Sequence, residues 1–115
     1  MATRLLFAIL SCPYAYESAN GFAHRVGLRN RHHLNRVLHR VGLPPFRVLS
    51  TLTRILALRD AAEAHHRSFC AETIDVNYEP AWAYRAVRRL TGRSWSEVRH
   101  LSHDEFVALV LEHRH

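Results

Sequence analysis

Apolar and polar residues follow each other along this chain with the period of an α-helix. The clearest segment runs from about Asn30 to Gly42, and its apolar residues recur at helical spacing: Leu34, Val37, Leu38 and Val41. Its other residues are polar and mostly basic: Arg31, His32, Asn35, Arg36, His39 and Arg40. Asn30 is a typical N-cap residue and Gly42 a typical residue after a helix end. The segment therefore predicts an amphipathic helix.

Proline, glycine and capping residues divide the rest of the chain into further helices. No segment shows the period-two alternation of a strand, so we expect an all-α fold of seven or eight helices and no sheet. The further predicted limits are Leu5 to Pro13, Ser18 to Val26, Pro44-Pro45 to about Ala64, Ser68 to Val76, Pro80 to Thr91, and two helices opened by capping boxes at Ser94-x-x-Glu97 and Ser102-x-x-Glu105, the last ending near Glu112.

The chain contains an internal repeat. Residues 34–42 align with residues 83–92, so that Arg36 lies opposite Arg85 and the closing glycine Gly42 opposite Gly92. Each half has a short helix, a turn, an arginine-bearing helix, a glycine and another helix, which predicts two helix-turn-helix subdomains. The predicted division is 1–43 for the first subdomain, 44–66 for a linker helix, 67–101 for the second subdomain and 102–115 for an extra C-terminal helix and tail.

The charge of the chain indicates a polyanionic partner. Its 115 residues include 16 cationic residues, every one an arginine, against 10 acidic residues, which gives a formal charge of +6 with histidine neutral. No acidic residue lies between Glu17 and Asp60, an interval that holds eight arginines. Guanidinium groups present planar, forked donors that match phosphate and the edge of guanine.

The cysteines and the apolar runs indicate a cytoplasmic setting. Cys12 and Cys70 have neither metal-ligand spacing nor a disulfide framework, so we expect two free thiols. The N-terminal apolar run is shorter than the roughly 7 to 15 residues of an export signal. No run reaches the roughly 20 apolar residues of a membrane span, so we expect no membrane partner.

Neither catalysis nor metal binding is predicted. Histidines are dense, but the neighbours in His32-His33 and His65-His66 point to different helix faces, and His113-x-His115 lies in a tail. No nucleophile has a placed partner, so we expect no enzyme and no cofactor. The acids of residues 60–79 are interpreted as a solvated acidic stretch: Asp60, Glu63, Glu72, Asp75 and Glu79.

The repeat resembles the DNA-binding domain of the AraC/XylS family of bacterial regulators over about residues 5–99. The second half is most similar, in residues 84–99, YRAVRRLTGRSWSEVR; the first half matches in Val26-Gly27-Leu28, in residues 33–36, HLNR, and in residues 42–45, GLPP. Asn77-Tyr78 stands where the family has glycine and an aromatic residue, and Trp95 where it has proline. Asparagine tolerates the left-handed backbone, so we expect the first exchange to be mild.

The resemblance implies a stand-alone or truncated transcription regulator that inserts two recognition helices into successive major grooves about 34 Å apart. In the first half it points to Arg29, Asn30, Arg31, His32, Asn35, Arg36 and Arg47; in the second, to Ala81, Trp82, Arg85, Arg88, Arg89 and Arg93. Arginine would bind guanine and asparagine adenine through paired hydrogen bonds. Trp82 either contacts a thymine methyl or packs in the core.

The resemblance therefore implies double-stranded DNA of the nucleoid as the partner, with RNA polymerase as a further candidate. The alternative is a protein-interaction module on a degenerate helix-turn-helix scaffold. In that case the C-terminal helix, with Leu109 and Val110, docks a protein partner.

Overall fold

The computed structural model describes Arg4, Leu6, Ile9, Leu10 and residues 18–115. Seven helices cover most of this range and no strand is present in it, which confirms the all-α class: α1 Ala19–Arg25, α2 Arg31–Arg40, α3 Phe46–His65, α4 Phe69–Asp75, α5 Pro80–Thr91, α6 Trp95–Val98 and α7 His103–Glu112. Arg4, Leu6, Ile9 and Leu10 are helical as well. The predicted end of that helix at Pro13, and Cys12, lie outside the described residues, while Cys70 is a free thiol.

The predicted capping residues fix the helix starts. Ser18, Asn30 and Ser68 each accept a hydrogen bond from the backbone N–H three residues on, at 3.0 Å. The Ser102 hydroxyl accepts from the N–H of Glu105, whose carboxylate accepts from the N–H of Ser102. Local sequence alone therefore determines where these helices begin.

Left-handed residues end α1 and α4 in the same way. Gly27 follows α1 with φ 84°, and Asn77 follows α4 with φ 67°. In each turn the next N–H reaches back to the last part of the helix, from Leu28 to the Ala23 carbonyl at 2.7 Å and from Tyr78 to the Thr73 carbonyl at 3.1 Å. Asn77 thus adopts the backbone that a glycine would, as expected.

The chain divides into two compact units, Met1–Thr53 and Arg54–His115, and the division falls inside α3. In the first unit the core contains Phe22, Ala23, Leu34, Leu38, Leu49 and Leu52, all at most 2% exposed. The ring of Phe22 stacks on that of Phe46 with centroids 5.1 Å apart. This contact joins α1 to the start of α3.

The second unit has a core of its own. It contains Phe69, Ala83, Ala86, Val87, Leu90, Val98, Phe106 and Val110, all at most 3% exposed. Ala83, Ala86, Val87 and Leu90 thus form the buried face of α5. Phe69 stacks on Trp95 with centroids 4.1 Å apart. Because Phe106 and Val110 are fully buried, α7 belongs to this core, and Val110 has no surface to offer a partner.

Candidate nucleic-acid interface

The exposed face of α2 is polar and mostly basic along its length. Its exposed residues are Arg31, His32, Arg36, His39 and Arg40. Four of them, together with the half-buried Asn35, line a surface depression of about 670 Å³. On the other side Leu34 and Leu38 are fully buried, so the packing of the first unit fixes which side chains face outward.

Three polar side chains hold the backbone at the entrance to α2. The N–H of Arg29 donates to His33 Nδ1 at 3.3 Å, and the Arg29 carbonyl lies 2.7 Å from His24 Nε2. The N–H of Arg31 donates to Asn20 Oδ1 at 2.8 Å, which ties the start of α2 to α1. Sequence reasoning missed these three residues, because bonds across a turn leave no periodic signal.

The two asparagines predicted to contact DNA are used within the protein. Asn30 Oδ1 caps α2, and Asn35 Oδ1 accepts from the N–H of Phe46 at 3.0 Å. Paired recognition of adenine needs both ends of a carboxamide, and here the oxygen of Asn35 already holds the start of α3. We therefore assign Asn35 a positioning role. Arg47, the second residue of α3, is exposed.

The predicted contact residues of α5 also lie outward, with one exception. Ala81, Arg85, Arg88, Arg89 and Arg93 are exposed. Trp82 is half-buried, and its ring packs against Tyr78 with centroids 4.9 Å apart. The structure thus places Trp82 partly in a local aromatic pair and partly on the surface. An exposed carboxylate, Glu79, stands at the N-cap of α5, where α2 has Asn30.

The arginines predicted to contact DNA form no ion pair with any residue that the structure describes. Among the described residues no carboxylate bridges Arg29, Arg31, Arg36 or Arg47 in the first unit, or Arg85, Arg88, Arg89 or Arg93 in the second. Their guanidinium groups therefore remain available to an external anion.

Net charge is divided unequally between the units. Residues 1–53 hold seven arginines and one acid, Glu17, whereas residues 54–115 hold nine arginines and nine acids. With histidine neutral, the whole formal charge of +6 therefore belongs to the first unit. The first unit therefore contributes most of the attraction that the chain exerts on a polyanion.

The sequence led us to expect that the acids of residues 60–79 are all solvated, but one of them is buried. Glu72 is only 4% exposed, and its Oε1 lies 2.8 Å from His65 Nδ1 and 3.9 Å from Arg67 Nε. Arg67 also bonds to Asp75, and this hydrogen bond lowers the pKa of Asp75 below its ordinary value. The prediction was wrong for Glu72 because its partners come from the end of α3 and the following turn.

The part of the chain that the structure describes contains neither a metal-binding cluster nor a membrane-spanning helix. Within that range no three His, Cys, Asp or Glu side chains are grouped to hold a metal ion. Nor does any helix there combine the length and apolar content needed to cross a membrane. No family model matches the chain, and no match is found among curated proteins or solved structures.

Proposed function

We propose that the chain is a sequence-specific DNA-binding transcription regulator of the bacterial cytoplasm, with α2 and α5 as recognition helices. The observation that carries this proposal is the exposed basic face of α2, on the unit that holds the whole net charge. A helix of this kind fits the major groove, and its outward side chains reach base edges. The residues shared with AraC/XylS regulators support the same function, with RNA polymerase as a further partner.

The proposed contacts follow from position. Arg36 and Arg85 occupy corresponding places on the exposed faces of α2 and α5, where a guanidinium can donate twice to guanine. Arginines at helix starts, in turns and in the last turn of α5 bind phosphates and set the orientation of the protein on the duplex: Arg29, Arg31, Arg47, Arg88, Arg89 and Arg93. His32 lies beside Arg36 in the same surface depression and contacts the same groove.

The test begins with selection of a preferred duplex from random sequences at moderate salt. Fluorescence anisotropy then compares this duplex with a scrambled one. We expect the doubly substituted Arg36→Ala Arg85→Ala protein to lose about 2 to 6 kcal/mol of binding free energy on the selected duplex, as two base contacts disappear. It should lose much less on the scrambled duplex. Arg114→Ala, an exposed arginine in the tail, is the matched control.

Salt dependence provides the second readout. If several phosphates are neutralised, the affinity falls steeply as the salt concentration rises, with a slope of about −0.9 per contact on a log–log plot. A protein that selects no sequence, or whose affinity is indifferent to both salt and the double substitution, is not a DNA-binding regulator.

A protein-interaction module is the second candidate function. It is favoured by two apolar residues on the surface of the second unit, Ile74 and Val76, which are 57% and 43% exposed. Under this alternative Ile74→Ser removes partner binding and Arg36→Ala does not. The DNA-binding proposal expects the reverse for binding to the selected duplex.

A further inference from the structure

A groove of about 860 Å³ lies entirely within the second unit. It is lined by residues of α3 to α7 and the turns between them, and none of the predicted DNA contacts is among them. A volume of this size falls in the range of small-molecule sites in proteins, about 300 to 1,000 Å³. The groove is therefore large enough for a ligand and separate from the proposed DNA surface.

One wall of the groove is aromatic. Phe69, Tyr84 and Trp95 line it, with Phe69 stacked on Trp95 and in edge contact with Tyr84 at 5.5 Å between centroids. Phe69 is buried beneath the other two, whereas Tyr84 is 37% exposed and Trp95 is half-buried. The Tyr84 hydroxyl is protonated at neutral pH and can donate a hydrogen bond; burial raises its pKa further above neutrality. This wall suits a flat ring.

The groove also contains arginines with unused donors. Arg59 lies over the ring of Phe106, at 5.6 Å from its centroid, and its Nη1 is buried with no hydrogen-bond acceptor among the described residues. A buried donor on a charged group without an acceptor is costly, and a small shift of the Arg59 side chain that opens this nitrogen to the groove lets a bound anion supply the acceptor. Arg99 is exposed and forms no ion pair with any described residue, unlike Arg67.

Two carboxylates on the same groove limit the charge of the ligand. Asp60 and Glu63 both lie on α3 and line the groove. Their field is weakened by solvent and salt, but it disfavours a multiply charged anion more than a singly charged one. The lining therefore favours a single negative charge combined with a ring.

We propose that this groove binds a small aromatic monocarboxylate. Its ring lies against Trp95 and Tyr84, and its carboxylate accepts from Arg59 and Arg99. The proposal does not depend on DNA binding, because it concerns other residues of the second unit.

The test separates the ring from the charge by using three probes on the full chain. Indole-3-carboxylate carries both, indole carries the ring alone, and inorganic phosphate carries negative charge alone. Isothermal titration calorimetry should show saturable binding of indole-3-carboxylate and binding at least about tenfold weaker for each of the other two, because indole lacks the charge-assisted hydrogen bonds and phosphate lacks the ring.

The location of the ligand is tested by NMR and by two single variants. The indole N–H signal of Trp95 should shift on titration, and that of Trp82 should not; Trp82→Phe assigns the two signals. Arg99→Gln should weaken binding about tenfold, and Arg114→Gln, an exposed arginine outside the groove, should leave it unchanged. Arg99 is exposed, so this substitution does not threaten the core.

Three results would overturn the proposal. The first is the absence of saturable binding by indole-3-carboxylate, and the second is binding that Arg99→Gln leaves unaltered. The third is phosphate binding as tightly as indole-3-carboxylate, which would leave the aromatic wall without a role.

Discussion

The two units follow one plan but differ in net charge, since the first has a formal charge of +6 and the second has none. Each has a serine-capped short helix, a turn through one left-handed residue, and a longer helix with a buried apolar stripe and exposed arginines. In the first unit the entrance to the longer helix carries Arg29 and Arg31, and in the second it carries Glu79. The plan can thus persist while the charge changes, because surface charge contributes little to folding.

The cores of the two units also differ at one corresponding position. The fourth residue of α1 is Phe22, which stacks on Phe46; the fourth residue of α4 is Glu72, which bonds to His65. The second unit takes its ring from Phe69 instead, one turn earlier in the helix. A ring contact between the first helix and the helix after the longer one is therefore kept by different residues.

The largest expected effect concerns this difference in the cores. Phe22→Ala removes a buried ring and should reduce the free energy of unfolding by about 3 to 5 kcal/mol. Glu72→Gln keeps the shape of the side chain and an oxygen that can accept from His65, so only the charge assistance of this bond is lost and a smaller loss of about 1 kcal/mol is expected. Urea unfolding followed by circular dichroism measures both. Equal losses would show that the polar pair supports its core as strongly as the ring does.

The second prediction tests the difference in charge. Replacing Arg29, Arg31 and Arg47 together by glutamine should reduce the slope of log affinity against log salt by about 2 to 3, if each contacts a phosphate. The matched triple at Arg88, Arg89 and Arg93 should reduce it by less, because carboxylates of the same unit already oppose the attraction. Anisotropy titrations with one duplex at several salt concentrations compare them. A larger reduction of the slope by the triple at Arg88, Arg89 and Arg93 would contradict the expectation that the first unit supplies most of the attraction.

A smaller loss of stability is expected when Gly27, the left-handed residue after α1, is substituted. No atom lies within 4 Å of the place that a Cβ on residue 27 would occupy, so Gly27→Ala suffers only from its positive φ, at a cost of about 1 to 2 kcal/mol. Gly27→Asn should cost less, because Asn77 already adopts this backbone in the second unit. Thermal unfolding ranks the two variants. A larger loss for asparagine than for alanine would mean that the two turns are not equivalent.

The smallest expected effect is a difference in acid sensitivity. Hydrogen bonds lower the pKa of Asp75 below 3.8 and those of Glu97 and Glu105 below 4.5. Because the folded state lowers these pKa values, their stabilisation is present above the ordinary values and is lost as the pH falls through the lowered ones. All three lie in the second unit, which should therefore loosen first below about pH 4.

Tryptophan fluorescence follows this loosening, since Trp82 and Trp95 both belong to the second unit. The amide signal of Leu38 follows the first unit by NMR. If the signal of Leu38 disappears at a higher pH than the fluorescence changes, acid sensitivity has a different origin.

Most of the helices could be predicted because their signals are local. Spacing of apolar residues placed α2 and α5, and Ser18, Ser68 and Ser102 marked helix starts that the structure shares. The division inside α3 could not be predicted in this way. It depends on which distant residues each half of the helix contacts, and the helix is buried on more than one side.

The candidate site was predicted less completely than the fold. Exposure of Arg36 and Arg85 follows from helical periodicity, and the structure places both outward. Periodicity cannot show that a polar side chain already has an internal partner, and this is why the hydrogen bond of Asn35 and the burial of Glu72 were not predicted. Both are polar residues whose partners lie in a neighbouring element of the fold.

The ring of the short helix lies at different positions in the two units, at Phe22 in α1 and at Phe69 in α4, and this limits chimeras that exchange helices. If α4 replaced α1, a glutamate would meet Phe46; if α1 replaced α4, a phenylalanine would meet His65. Exchanging single helices between the halves should therefore fail even though their backbones match, whereas exchanging a helix together with its ring partner preserves the pair. The duplicated parts have become dedicated to their own neighbours.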